Sequence, residues 1–239
     1  MNDTLAAQMI EYYRQRAPIY DESMGYTNAR RWREHAELVE FLRERLAGRD
    51  VLEIACGAGR WTQAIASVVR SLVATDANDA MLAEARNKRY GAARVRFAQA
   101  DAYSLRHISG SFTAGFAVDW WSHMPKSRVR AFVDGLHDRL LPGSSVVFID
   151  QLPREALDRM FLRYDSGGDL IQARRLPSGN SFEVIKNFPS QDELFSLLHG
   201  AAVDLEYFIH EPTRRWVLAY RVERVDPEDD RSVHRAAGR

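Results

Sequence analysis

Two carboxylates flank a glycine turn in the first half of the chain. Glu53 precedes the turn Cys56-Gly57-Ala58-Gly59, and Asp76 follows a second apolar stretch. Glycines let a ligand approach the backbone closely, because a Cβ at such positions would collide with it. Asp76 lies about 20 residues beyond Gly57, the spacing of a carboxylate that binds the hydroxyls of a ribose. These residues predict a nucleoside site.

The side chains around the turn also indicate which nucleoside would fit. A dinucleotide site needs a small residue three positions after the second glycine, and this chain has Thr62 there, preceded by Arg60 and Trp61. A carboxylate such as Glu53 repels a pyrophosphate and attracts an ammonium group. The charges therefore favour S-adenosylmethionine, which has an ammonium, a sulfonium and no phosphate, over NAD.

Alternating strands and helices are expected to position this turn. The leading helices are predicted at 3–17 and 29–46, the strands at 51–55, 71–75, 94–98, 113–118 and 144–149, and the intervening helices near 60–69, 79–88 and 126–140. Such alternation predicts a parallel sheet with helices on both faces.

The pattern changes after Asp150. Strands are predicted at 169–175 and 181–187 around Pro177-Ser178-Gly179-Asn180, then a helix at 191–199 and antiparallel strands at 203–209 and 215–222. We expect one domain over 1–222, with an N-terminal lid (1–28) and a cap insertion (151–189) containing a β-hairpin. The polar tail, 223–239, is expected to be disordered.

Three motifs in this order resemble those of class I S-adenosylmethionine-dependent methyltransferases. They are Glu53 to Gly59 (E-x-A-C-G-x-G), Thr75 to Leu82 (T-D-A-N-x-x-M-L) and Ala100 to Ala102 (A-D-A), and the resemblance covers residues 10–222. It implies an α/β, doubly wound, Rossmann-like, mostly parallel seven-stranded sheet with a reversed last strand. It also implies S-adenosyl-L-methionine as cofactor and S-adenosyl-L-homocysteine as product.

The resemblance assigns cofactor-binding residues along the chain. Glu53 and the backbone of Ala55-Cys56-Gly57 would hold the methionine end, and Asp76 the ribose, although Asp76 could instead cap the next helix. Asp101 would accept the adenine amino group or merely start a turn. Asn78 and Met81 would pack on the adenine face, although Met81 could instead fill the core. The full expected set is Tyr13, Arg14, Tyr20, Glu53, Ala55, Cys56, Gly57, Gly59, Asp76, Ala77, Met81, Asp101, Ala102 and Val118.

The segment Val118 to Pro125 follows the fourth predicted strand and should face the acceptor. His123 is the candidate general base, with a structural histidine as the alternative, and Asp119 would anchor the acceptor or hold that histidine. Trp120 or Trp121 would line the acceptor site, and one of the two is expected to pack in the core instead. The segment lacks the Asn/Asp-Pro-Pro-Tyr/Phe motif of methyltransferases that act on nucleic-acid amino groups.

Aromatic and basic residues elsewhere suggest further contacts with the substrate. Tyr12 and its neighbours in the lid resemble a segment that closes over cofactor and substrate, and a surface amphipathic helix is the alternative. On the predicted hairpin, Arg174, Arg175 and Lys186 would meet an acidic substrate group or form a solvated strand face. Cys56 lacks a neighbouring base and is expected to be a small hydrophobic residue.

Composition limits the class of protein. Lys plus Arg and Asp plus Glu both number 33, so a nucleic-acid partner is not expected. One cysteine, no apolar membrane span and no signal pattern favour a cytoplasmic protein. Scattered histidines predict no metal. We expect methyl transfer to an oxygen or nitrogen of a small molecule, mainly by proximity and alignment, in a monomer or homodimer. The alternatives are an RNA or protein methyltransferase, a non-catalytic cofactor-binding protein, and an NAD enzyme.

Overall fold

The computed structural model describes residues 3–153 and 162–223. The predicted tail beyond Glu223 and residues 154–161 of the predicted cap insertion lie outside the described residues. Within these two ranges every helix is too short or too polar to cross a bilayer.

The described helices and strands follow the predicted alternation. The helices are α1 (Asp3–Arg16), α2 (Tyr20–Ser23), α3 (Ala29–Arg33), α4 (Ala36–Leu46), α5 (Arg60–Ile65), α6 (Asp79–Arg86), α7 (Val129–His137) and α8 (Gln191–Leu198). The strands are β1 (Asp50–Ile54), β2 (Ser71–Asp76), β3 (Val95–Gln99), β4 (Phe112–Val118), β5 (Leu140–Gln151), β6 (Leu162–Tyr164), β7 (Leu170–Arg175), β8 (Ser181–Ile185), β9 (Ala202–His210) and β10 (Arg215–Val222).

Seven of these strands form the main sheet, in the order β3-β2-β1-β4-β5-β10-β9. The first five pair in parallel, and β10 runs antiparallel to both of its neighbours, β5 and β9. The prediction of a mostly parallel seven-stranded sheet with a reversed last strand is confirmed.

Buried apolar clusters cover both faces of this sheet. Leu52 and Ile54 of β1 pack on one face with Phe132 and Leu136 of α7. Val51 packs on the opposite face in a second cluster, with Leu38, Leu42 and Leu46 of α4. Because side chains alternate along a strand, β1 is buried on both sides, which explains its nearly continuous apolar sequence.

A smaller antiparallel sheet, in the order β6-β7-β8, follows β5 and supports α1. Its strands β7 and β8 are the predicted hairpin, whereas β6 was not predicted. Tyr12 of α1 is buried beside Phe182 of β8, in a cluster with Ile171 and Val184. The small sheet therefore fixes the position of the N-terminal helix over the main sheet.

Several predicted boundaries were wrong. The helix predicted near 60–69 ends at Ile65. The helix predicted over 29–46 is divided at Glu34-His35 into α3 and α4, and the His35 ring stacks on Trp32 with its Nδ1 against the Arg31 carbonyl oxygen, 3.1 Å away. The helix predicted to reach residue 140 ends at His137, and β5 already begins at Leu140. Pro142 and Gly143 lie within β5, next to an irregular register between Phe112 and Ala114 of β4.

Candidate functional site

A cavity of about 550 Å³ lies where the central parallel strands end and α1 covers the sheet. Thirteen of the predicted site residues line this cavity. They are Tyr13, Tyr20, Ala55, Gly57, Asp76, Ala77, Met81, Asp101, Ala102, Val118, Asp119, Trp120 and His123. Both the predicted cofactor residues and the predicted acceptor segment therefore border one continuous space.

The glycine turn after β1 depends on left-handed backbone conformations. Gly57 has φ +55° and Gly59 φ +77°, and the preceding Ala55 has φ +53°. A Cβ on Gly59 would lie 2.7 Å from the Tyr90 hydroxyl and 2.9 Å from the Ala85 Cβ of α6. Gly59 thus allows α6 to pack closely against the turn, and it does not line the cavity. Gly57 does, facing the Tyr20 ring.

Asp76, at the end of β2, uses its carboxylate to hold the turn. Its Oδ2 accepts a hydrogen bond from the Gly57 amide at 2.9 Å, and its Oδ1 accepts one from the Asn78 amide at 2.8 Å. Burial raises the pKa of Asp76 to about 6, against the opposing effect of these two bonds. Asn78, and not Asp76, caps α6, since its side chain accepts from the Ala80 amide. Each Asp76 oxygen retains a lone pair that a hydroxyl could use.

Glu53 lies behind the turn and does not line the cavity. The side chain is buried, its Oε2 accepts a hydrogen bond from the Thr62 hydroxyl at 2.7 Å, and burial raises the pKa of Glu53 to about 8. Within the described ranges no cation forms an ion pair with this carboxylate. Glu53 is therefore a buried acid that keeps its proton at neutral pH, and a positively charged group on the other side of the turn would favour its ionised form.

Cys56 packs as a small apolar residue. It is buried with Ala74 and Leu82, away from the cavity lining. Burial, together with the charges of Glu53 and Asp76, raises the pKa of the Cys56 thiol well above its ordinary value. A thiol in such surroundings is a poor nucleophile.

His123 connects three parts of the molecule. Its Nδ1 lies 2.7 Å from the Ile185 carbonyl oxygen in β8, and its Nε2 lies 2.8 Å from the Tyr13 hydroxyl in α1. Because a carbonyl only accepts, Nδ1 carries the proton and Nε2 accepts from Tyr13. Burial and then the charges of Lys186 and Arg174 lower the pKa of His123 well below its ordinary value. The imidazole is consequently neutral at neutral pH.

Asp119 does not contact His123, contrary to one of its two predicted roles. Its carboxylate accepts hydrogen bonds from Arg215 of β10 at 2.9 and 3.2 Å and from the Tyr26 hydroxyl at 3.2 Å. Burial alone would raise the pKa of Asp119, but the Arg215 charge, the hydrogen bonds of Arg215 and the Lys186 charge together outweigh it and lower the pKa to about 2. The residue also has φ +56°, so the ion pair holds a strained loop after β4.

Several predicted site residues lie away from the cavity lining. Tyr12 is buried against the small sheet, and Trp121 packs in the main core against Phe148 and Trp216. Arg14 is exposed and paired with Glu11 on its own helix. Of the two tryptophans, Trp120 faces the cavity and Trp121 is the core residue.

Sequence reasoning missed several lining residues: Ala6, Met9, Ile10, Gln99, Ala100, Tyr103, His107 and Arg128. Asn78, which was expected on the adenine face, also lines the cavity. Gln99, Ala100 and Tyr103 adjoin the A-D-A motif, and that proximity was an available signal. Arg128 belongs to no motif, and only the fold brings it to the Tyr103 ring. No group of three or more potential metal ligands occurs in residues 3–153 and 162–223.

The fold and cavity define a Rossmann-like protein that binds a nucleoside-containing cofactor at the carboxyl ends of its strands. Residues 51–143 match the family profile of a methyltransferase domain. Among solved structures, the DhpI–SAH complex is similar over 93% of this chain and 99% of that chain, with 26% identity and a TM-score of 0.72. The DhpI–SAM–HEP complex is similar over 91% and 97%, with 28% identity and a TM-score of 0.72.

A more distant structure shares the fold. SAM-bound CalS10 of Micromonospora echinaspora, an amino pentose methyltransferase involved in calicheamicin biosynthesis, is 18% identical over 85% of this chain and 96% of that chain, with a TM-score of 0.62. The comparison with curated protein sequences found no match. The profile match and these structures together indicate an enzyme with a methyltransferase domain of the S-adenosylmethionine-dependent type, which uses S-adenosyl-L-methionine as methyl donor.

Proposed function

We propose that this enzyme methylates an oxygen or nitrogen atom of a small-molecule acceptor, mainly by aligning it with the cofactor. The observation that carries the proposal is the single cavity bordered by Gly57 and Asp76 on one side and by Trp120 and His123 on the other. Tyr13 of α1 covers the same space. A cofactor and an acceptor held in it would be in contact and shielded from bulk water.

The chain's own residues fit the chemical groups of S-adenosylmethionine. Asp76 would bind the ribose hydroxyls, and Glu53 would lose its proton to complement the ammonium of the methionine end across the glycine turn. Asp101 is exposed at the cavity, where its carboxylate would accept the adenine amino group, and Met81 would pack on the ring. When bound, this cofactor supplies a methyl group made electrophilic by the positive sulfur.

His123 acts in this proposal by positioning. Its Nε2 is engaged by Tyr13, its Nδ1 by the Ile185 carbonyl, and its pKa is lowered by burial and by neighbouring cations. The neutral imidazole forms a hydrogen bond at each ring nitrogen. It thereby orients the Tyr13 hydroxyl and joins α1 to the small sheet. Asp119, through Arg215, fixes the segment that carries Trp120.

The size of the cavity and the identified relatives favour a small acceptor. A space of about 550 Å³ that must hold the cofactor as well leaves room for a compact molecule. CalS10 is described as an amino pentose methyltransferase, which is a small-molecule activity on the same fold. The balanced overall charge of the chain also lacks the basic excess of a nucleic-acid binder.

Calorimetry with the full chain tests the cofactor half of the proposal. S-adenosylhomocysteine and S-adenosylmethionine should bind, and NADH should not. Asp76→Ala should weaken S-adenosylhomocysteine binding by about 100-fold, because a charged acceptor for hydroxyl groups is lost. Asp79→Ala, an exposed acid of the same helix start, is the control and should bind like the parent. Heat from NADH alone would contradict the proposal.

Incubation with methyl-labelled cofactor and a small-molecule extract tests the transfer itself. Label should appear in a low-molecular-weight product. Label appearing only in RNA, together with RNA binding that falls steeply with salt, would assign the activity to a nucleic acid instead. Tight cofactor binding with no labelled product from any source would indicate a non-catalytic protein.

A further inference from the structure

Three side chains that line the cavity present hydrogen-bond donors in or beside the predicted acceptor segment. Arg128 lies just before α7, and its guanidinium carbon is 3.6 Å from the centroid of the Tyr103 ring. The Trp120 ring lies beside the same tyrosine, with 6.1 Å between the ring centroids. All three residues border the cavity, and we refer to Tyr103, Trp120 and Arg128 as the donor cluster.

Among the described residues, the polar atoms of the donor cluster have no protein partner. The Tyr103 hydroxyl and the Trp120 Nε1 are both buried, and neither forms a hydrogen bond within residues 3–153 and 162–223. In the described part of the chain, no carboxylate lies within ion-pair distance of Arg128. A buried donor left unsatisfied costs about 1–3 kcal/mol, so groups of this kind are normally matched by a ligand or water.

The acidic residues around the cavity are engaged elsewhere. Asp119 is paired with Arg215, and Asp76 holds the Gly57 and Asn78 amides. Asp101 accepts from the Tyr103 amide at 3.0 Å and is assigned above to the cofactor's adenine. The acceptor side of the cavity is left with donors and a cation.

Further positive charge lies behind this part of the cavity. Lys186 is 4% exposed, with its Nζ 2.9 Å from the Ser122 hydroxyl and 3.8 Å from Asp150. Arg174 lies over the Tyr12 ring, next to Tyr13. With Arg215 on Asp119 and Lys186 on Asp150, Arg174 remains as an additional cation near His123.

An amine acceptor would fit this environment poorly. Aromatic faces attract ammonium groups, but the guanidinium of Arg128 already covers a face of Tyr103. A second cation at that position would be repelled. An anionic oxygen group, in contrast, would accept from the guanidinium, the phenol and the indole together.

We propose that the donor cluster of Tyr103, Trp120 and Arg128 binds an oxyanion carried by the acceptor, a carboxylate or a phosphate group. The inference rests on the proposed function, because it places the acceptor beside a bound cofactor. It restricts the acceptor to an acidic small molecule. The oxyanion serves to orient that molecule in the cavity, with Arg128 giving the main charge contact.

Titration of the full chain, saturated with S-adenosylhomocysteine, tests the proposal without knowing the acceptor. Phosphate, acetate and methylammonium are added separately at constant ionic strength in a chloride buffer, and the heat is measured. Phosphate or acetate should bind and methylammonium should not. The stronger of the two anions indicates which acid the acceptor carries. Arg128→Met should weaken anion binding at least 10-fold, and Tyr103→Phe should weaken it several-fold.

Arg130→Met is the matched control, since Arg130 lies on the exposed face of α7, paired with Asp134. It should bind anions like the parent, and all variants should retain the parent affinity for S-adenosylhomocysteine. The proposal is overturned if neither anion binds the saturated protein, if Arg128→Met binds them equally well, or if methylammonium binds instead. Failure of S-adenosylhomocysteine itself to bind would reject the proposed function, and this inference with it.

Discussion

At the scale of single residues, the sequence predicted that Glu53 belongs to the site, but not that it lies behind the glycine turn. A carboxylate buried within an apolar strand needs a polar partner, and the structure supplies the Thr62 hydroxyl. Thr62 is the same residue whose size argued against a dinucleotide. The motif did not indicate that Glu53 lies outside the cavity lining. A motif gives the order of residues along the chain, but not which of their side chains reach the cavity surface.

Replacing Glu53 by glutamine should stabilise the protein at alkaline pH. The pKa of Glu53 is raised to about 8 in the folded state, so the native protein holds this proton more tightly than the unfolded chain does. Stability is therefore lost as pH rises from about 4.5 through 8, and a neutral glutamine avoids that loss. Urea unfolding measures the difference in free energy of unfolding between Glu53→Gln and the parent. From pH 5 to pH 9 this difference should shift in favour of the variant by about 1–3 kcal/mol.

Glu44→Gln provides the comparison for this experiment, since Glu44 is an exposed residue of α4. Its stability difference from the parent should stay constant between the two pH values. The same Glu53→Gln variant should bind S-adenosylhomocysteine about 10-fold more weakly, because glutamine cannot ionise to complement the ammonium. A gain in stability at pH 5 equal to that at pH 9 would disprove the ionisation of Glu53 as the cause.

The partners of Asp119 illustrate what sequence could not supply at this scale. The residue was predicted to anchor the acceptor or to hold His123, its neighbour in the sequence. It instead pairs with Arg215, which the reversed strand β10 places opposite Gln151 at the end of β5. A contact across that many residues depends on strand order, and nothing in the local pattern of either segment indicates it.

At the scale of elements, the sequence predicted the alternation well and the boundaries less well. Apolar periodicity identified all seven strands of the main sheet, because each is flanked by turns or helices of opposite pattern. The break between α3 and α4 was missed, since the apolar residues continue across Glu34 and His35 with helical spacing. Tertiary contacts of His35 with Trp32 and Arg215 override that local signal.

Gly59→Ala should disturb the packing of α6 on the glycine turn. The added Cβ would meet the Tyr90 hydroxyl at 2.7 Å and the Ala85 Cβ at 2.9 Å, and φ at this position is +77°. We expect a loss of about 2–4 kcal/mol in the free energy of unfolding, combining backbone strain with overpacking. Denaturant melts of the purified variant measure it.

Gly48→Ala separates the two effects. Gly48 has a similar φ of +68°, and a Cβ added there would meet no atom within 4 Å, so only backbone strain remains. Its cost should be about 1–2 kcal/mol. Equal losses for the two substitutions would show that close packing of α6 contributes nothing beyond the backbone conformation.

At the scale of the whole molecule, α1 holds the site together from outside the main sheet. Its Tyr13 bonds to His123, and the Ile10 carbonyl oxygen accepts from the Asn78 side chain at 2.8 Å. On its other side α1 packs against β8. The sequence predicted a covering segment, but its attachment to the small sheet was visible only in the fold.

Cofactor binding should therefore slow amide exchange in α1. Hydrogen–deuterium exchange with and without saturating S-adenosylhomocysteine should show protection concentrated in 3–16 and in the turn after β1. Helix α8, which packs on the far part of the sheet, serves as the internal reference and should change little. Uniform protection of α1 and α8 would mean that binding stabilises the molecule globally without engaging the lid.

The cavity wall is divided along the chain. Apart from Val118, the residues assigned to the cofactor come from the chain up to Ala102. Trp120, His123 and Arg128 come from the segment after β4, which the small sheet contacts through Ile185. Because the two walls are encoded in consecutive stretches, selectivity for the molecule being modified can change by exchange of the later stretch alone. Replacing the segment after β4 should therefore change the acceptor specificity while the cofactor-binding part of the chain stays the same.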